Sequence, residues 1–154
     1  MAVGNLDGGS DHDRDVAAAY QITATTGGFY IWLNQAAAKP GWVGTGTQPT
    51  SPNGTYRLTS TGKAQVVRLC DVDGDNDVDV LLGTRTGNNA GKVEVWFNNG
   101  NASYSCNASN DVYTAACEVE SLVVGDFNGD GRVDFADGCQ TQASGNNGNM
   151  GLPI

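Results

Sequence analysis

Positive charge is scarce in this sequence: eight Lys and Arg residues stand against seventeen Asp and Glu, a formal net charge of −9. Nucleic acid and anionic membrane surfaces are held by basic patches, so neither is expected as a partner. Long apolar runs are missing too. No stretch approaches the roughly 20 residues that a membrane-spanning helix needs, and the N-terminus lacks the basic-then-apolar pattern of a secretory leader. We therefore expect no membrane insertion and, for a secreted chain, a leader already removed. Histidine occurs once, as His12, and the four cysteines include no Cys-x-x-Cys pair, which argues against zinc. Gly-x-Ser-x-Gly, His-Glu-x-x-His, phosphate-loop and dinucleotide fingerprints are all absent.

Glycine is abundant, at 22 of 154 residues, and Asn, Thr and Asp are frequent. This composition reads as one all-β domain, residues 1–154, of short strands joined by turns, with few helices. The acids are not spread evenly. Thirteen of the seventeen fall in three windows, 7–15, 71–79 and 126–137. Carboxylates crowded in this way repel one another unless a cation sits among them.

The three windows belong to a repeat. Gly4 to Val16, Cys70 to Val80 and Gly125 to Phe135 superimpose; the last two align without a gap, 55 residues apart, and the first carries two extra residues. Downstream, Gly28-Phe-Tyr-Ile-Trp-Leu-Asn34 matches Lys92-Val-Glu-Val-Trp-Phe-Asn98. The approximate units are 1–63, 64–118 and 119–154. A unit of this size is supersecondary structure, unable to bury its own faces without neighbours. In the first Trp segment Phe29, Ile31 and Leu33 share one side and Tyr30 and Trp32 the other, which predicts a strand covered on both faces. Stacked sheets do this; a core strand of a β-sandwich is the alternative.

In the second loop Asp71, Asp73, Asp75 and Asp79 take positions 1, 3, 5 and 9, and position 7 offers the Asp77 carbonyl. Oxygens at alternate positions converge only if the chain curls, and Gly74 and Asn76 tolerate the left-handed backbone that curling needs. The third loop presents Asp126, Asn128, Asp130 and Asp134, with the Arg132 carbonyl at position 7. Hard oxygens at this spacing select Ca²⁺. In the first loop Asn5, Asp7 and Asp15 align, and Asp11 and Asp13 compete for the middle position. Two to three calcium ions are expected. An isolated loop of this kind could equally be a solvated turn; copies in register argue for metal.

The pattern Asp-x-Asp-Gly-Asp-x-x-x-Asp followed by an apolar strand resembles the FG-GAP and VCBS repeats of integrin-like β-propellers. The resemblance implies roughly one four-stranded blade per unit, and hence an all-β fold of about three propeller-type blades, an incomplete or oligomer-completed propeller. It also implies rim loops that bind Ca²⁺, and a role in adhesion, surface architecture or, as in some fungal lectins, sugar binding. Propellers close with four to eight blades, so this chain departs in number. Residues 126–137 also fit a dockerin calcium loop, but no amphipathic helix follows.

For catalysis, His12 lies among aspartates in a loop and reads as a solvated group. A glycosidase-like carboxylate pair is open on spacing alone, yet Glu94, Asp111, Glu118 and Glu120, the acids outside the loops, form no constellation. The expected role is structural or adhesive rather than enzymatic. A carbohydrate-binding alternative would use Trp42, Tyr56, Tyr104 and Tyr113. Disulfides are expected from Cys106 to Cys117, closing an Asn/Ser-rich loop, and from Cys70 to Cys139. Together with sequons at Asn53, Asn101 and Asn107 they place the chain outside the cell or on its surface. About three units leave two sheet faces uncovered, so we expect association into a closed homo-oligomer or a filament, or completion by other blades of a larger protein.

Overall fold

Strand-forming Val, Ile, Leu and aromatic residues alternate between Gly- and Asn-rich turns, and in the computed structural model the described residues form eleven strands and no helix. The structure describes residues 1–8, 14–34, 56–58, 62–100 and 102–140, with backbone alone at 56–58 and 140. All strand pairings are antiparallel. The first sheet runs β1 (Ala2–Gly4), β2 (Asp15–Gln21), β3 (Gly27–Trp32), β4 (Tyr56–Leu58). The second runs β5 (Lys63–Cys70), β6 (Asp79–Gly87), β7 (Ala90–Asn98), after which β8 (Tyr104–Ser105) and β9 (Val112–Ala115) both pair with β7. The third pairs β10 (Glu118–Gly125) with β11 (Asp134–Gln140).

Period-2 alternation lets the middle sheet serve two cores. On β6, Val80 and Leu82 face the first sheet, joining Phe29, Ile31, Ala17 and Leu6, while Leu81 faces the third with Val93, Val95, Val119, Leu122 and Phe135. On β5 a bulge shifts the parity. Val66 faces the third sheet and Val67 the first, but Ala64, which strict alternation would put with Val66, joins the first core because the register shifts between Ala64 and Val66.

Two-sided burial holds for the middle sheet and differs in the first. On β3, Phe29 and Ile31 are fully buried, whereas Tyr30 and Trp32 are half-buried and pack on their own sheet, with Tyr20–Tyr30 centroids 4.2 Å apart and Tyr30–Trp32 5.6 Å. Among the described residues no second sheet covers that outer face, so neighbouring aromatic rings shield one another instead.

Gly83 sets the spacing between the second and third sheets. A Cβ there would stand 2.6 Å from both Val119 Cγ1 and Val66 Cγ1. Gly83→Ala should therefore push the sheets apart and destabilise by about 1–3 kcal/mol, as overpacking of a filled core does. A urea midpoint equal to that of the parent would show that the interface yields freely. Arg85 Nε and Glu118 Oε1, 3.0 Å apart, add a partly buried ion pair from β6 to the start of β10.

The disulfide pairing corrects the expectation. Cys117 is bonded to Cys139, Cα atoms 5.4 Å apart, and Cys70 and Cys106 are free thiols, so neither Cys106–Cys117 nor Cys70–Cys139 forms. Loop length favoured Cys106, but the β10–β11 register sets Val119 opposite Cys139 and so brings the neighbouring Cys117 within reach. Cys70 sits at the end of β5 opposite Asp79. Burial pushes both thiols up to about 12, with nearby carboxylates adding to the effect, so neither is a thiolate at neutral pH. Non-reducing peptide mapping should recover the Cys117 and Cys139 peptides joined; a Cys106–Cys117 peptide would overturn the hairpin register.

Candidate metal centre

Each acidic loop leads into the first residue of a strand, and that residue is a buried aspartate: Asp15 of β2, Asp79 of β6 and Asp134 of β11. Each carboxylate reaches back to the start of its own loop. Asp15 Oδ2 accepts the Leu6 N–H at 2.7 Å, Asp79 Oδ2 the Val72 N–H at 2.8 Å and Asp134 Oδ2 the Phe127 N–H at 2.9 Å. In the first two units the other oxygen accepts an N–H from the end of the Trp strand, Asn34 to Asp15 at 2.7 Å and Asn98 to Asp79 at 2.8 Å. Position 9 is thus a clamp that closes the loop and ties it to a neighbouring strand. Reading the loops as metal ligands alone overlooked this role; the aligned Asn34 and Asn98, ending the two Trp segments, were the available signal.

The curl lies where glycine and asparagine were placed by the sequence. Gly74 and Asn76 have φ of 82° and 75°, and Gly129 and Gly131 have 81° and 84°, all left-handed. Inside the second loop Asp71 Oδ1 accepts Gly74 N–H at 2.7 Å, Asp71 Oδ2 accepts Asn76 N–H at 2.9 Å, and Asp75 Oδ1 accepts Asp77 N–H at 2.9 Å. The third loop repeats the design: Asp126 Oδ1 accepts Gly129 N–H at 2.6 Å, Asp126 Oδ2 accepts Gly131 N–H at 2.8 Å, and Asn128 Oδ1 accepts Asp130 N–H at 2.8 Å.

The loops differ in how their acids meet. Carboxylate oxygens of Asp71, Asp73 and Asp79 lie within 4.8 Å of one another. Burial pushes Asp79 up to about 6 against the opposing pull of the Asn98 and Val72 N–H groups, and Asp73 is raised by desolvation and by its acidic neighbours. In the third loop Asp126 moves the other way, held down chiefly by the Gly131 and Gly129 N–H groups. Asp126, Asp130 and Asp134 do not draw together as closely as the second-loop acids. Three hard carboxylate oxygens converging on one point fit a calcium ion, with Asp75 and the Asp77 carbonyl next in the same loop. Cys117, Asp137 and Cys139 also cluster, but the disulfide consumes both sulfurs.

Of the first-loop residues, Asn5 and Asp7 are half-buried before the loop and Asp15 is buried after it; Asp11, His12 and Asp13 lie outside the described residues. So do Asn53, Asn101, Trp42 and the side chain of Tyr56. Asn107 is exposed in a turn, its Oδ1 accepting the Ser109 N–H at 3.0 Å. Tyr104 is 6% exposed and packs edge-on against Phe29, which removes it as a sugar platform, whereas Tyr113 is 42% exposed.

These features define a β-repeat with acidic, glycine-curled loops between stacked antiparallel strands. Residues 71–136 match the FG-GAP-like repeat family, a stretch that takes in the second and third loops and the strands between them. No curated protein and no solved structure matches the chain.

Proposed function

We propose that the chain is an extracellular, calcium-binding module of propeller-type blades that holds or joins other molecules rather than catalysing a reaction. The convergence of Asp71, Asp73 and Asp79 carries this reading. A cation there would relieve the repulsion and desolvation that raise Asp79 and Asp73, and would lock the loop that the Asp79 clamp closes. The third loop, with its own turn geometry preset by Gly129 and Gly131, is the second site, and Asn5, Asp7 and Asp15 belong to a third. Blades of this kind are completed by more of the same, so a second copy of the chain or further blades of a larger protein are the proposed partners. Exposed Val123 and Phe127, 55% and 51% accessible, favour such a partner at the third sheet.

Calorimetric titration of the metal-stripped chain should detect two to three calcium ions, and Asp73→Ala should abolish one binding event. Full stoichiometry in that variant would remove the second loop from the reading. Light scattering in calcium should show association, and a stable monomer at micromolar concentration would count against blade completion by a second copy. A carbohydrate-binding role is the second reading, favoured by the exposed Tyr113 at the edge of a cleft between the second and third sheets.

A further inference from the structure

The core between the second and third sheets opens, at the loop end, into a cleft of about 160 Å³. It is lined by the apolar Leu81, Val95 and Phe135 together with Tyr113 and Arg132. The cleft adjoins a wider groove between the two acidic loops, and Val72, Arg132 and Val133 line both. We propose that this cleft is a subsite for one carboxylate-bearing sugar ring, a hexuronate unit of a glycan. This rests on the carbohydrate-binding reading and supplies its site and ligand class.

Three observations carry the assignment. The first is size: the cleft is well below the roughly 300 Å³ at which drug-sized pockets begin, which suits a single ring. The second is the aromatic wall. Tyr113 is 42% exposed although its ring packs edge-on against Phe135, centroids 5.1 Å apart, so it is held in place while part of it stays open to solvent. A fixed, half-open aromatic ring beside aliphatic side chains suits the C–H face of a pyranose.

The third is charge. In a chain with more than twice as many acids as bases, the Arg132 guanidinium has no ion pair among the described residues. Asp130, two residues away, accepts the Arg132 backbone N–H instead, at 2.8 Å. The planar guanidinium is therefore available to grip a carboxylate through two parallel hydrogen bonds. Asp130 and Asp134 also line the cleft, but their oxygens belong to the third loop and its proposed ion, which leaves the Arg132 guanidinium as the polar group for the ligand. A uronate presents the anionic acceptor that this guanidinium needs beside a C–H face for the aromatic ring. Phosphorylated ligands fit less well, because the loop N–H groups that would cradle phosphate are already bonded to Asp71 and Asp126.

The test is a titration of the calcium-loaded full chain, ¹⁵N-labelled, with methyl β-glucuronide and separately with methyl β-glucoside. The glucuronide should shift the amides of Tyr113, Arg132 and Val133 saturably, with the glucoside roughly tenfold weaker. Arg132→Gln should erase the difference between the two sugars, Arg132→Lys should restore part of it, and Tyr113→Ala should weaken both. Undiminished glucuronide binding in Arg132→Gln and Tyr113→Ala overturns the subsite. Shifts confined to residues 71–79 also overturn it, by showing the sugar acid held through loop-bound calcium. If a glycan array is positive while both variants still bind it, the cleft is wrong and the carbohydrate reading stands; a silent array with no shifts removes both.

Discussion

Excess chelator should lower the melting temperature of the chain by about 5–15 °C if the proposed calcium sites are occupied, the range expected when an ion held at 100 to 1,000 times its dissociation constant leaves a domain of this size. The cause is local. Without a cation, Asp71, Asp73 and Asp79 keep their oxygens within 4.8 Å of one another, and the loop must hold that charge against its own repulsion. The loss should be reversed by calcium and only weakly by magnesium, which sheds its water reluctantly. Differential scanning calorimetry on verified metal-free protein checks this, and superimposed traces with and without calcium would end the case for structural metal sites.

Replacing Asp79 by Ala destabilises by roughly 2–6 kcal/mol, since two donors, Val72 N–H and Asn98 N–H, lose their acceptor and each buried orphan costs about 1–3 kcal/mol. Asp73→Ala lacks this penalty, because Asp73 is an exposed loop residue that accepts only a long hydrogen bond from the Asp75 N–H, at 3.3 Å. The comparison separates clamp from ligand: in metal-free protein Asp79→Ala should be much the less stable of the two. Equal urea midpoints would show that the clamp contributes nothing.

Acidity adds a signature. Asp79 titrates at about 6 in the folded chain against an ordinary 3.8, so the folded state takes up its proton more readily than the unfolded one. Its contribution to metal-free stability is full below the ordinary value and lost as pH rises through about 6. Metal-free parent protein should gain stability on acidification across that window, and Asp79→Ala should not. If calcium binds there, the direction should reverse at this site, since the proton then competes with the ion.

Much of this was legible in the chain itself. The alternate acids of 71–79 and 126–134 with glycine or asparagine between them dictate curled, oxygen-rich loops, because few other residues accept φ near 80°. The alternation of residues 29–33 likewise dictates a strand, with Phe29 and Ile31 on its buried face. Those features are local, set by backbone sterics and by the two-residue period of a strand. What tertiary structure decided depends on which strands meet. The β10–β11 register joined Cys117 to Cys139, although loop length pointed to Cys106. The position of the first sheet left Tyr30 and Trp32 half open. The return of the Trp strand to the loop turned Asp15 and Asp79 into clamps, through Asn34 and Asn98 lying nineteen residues away. And the cleft of Tyr113 and Arg132 exists only because the second and third sheets pack face to face, a pairing across the chain that no local pattern encodes.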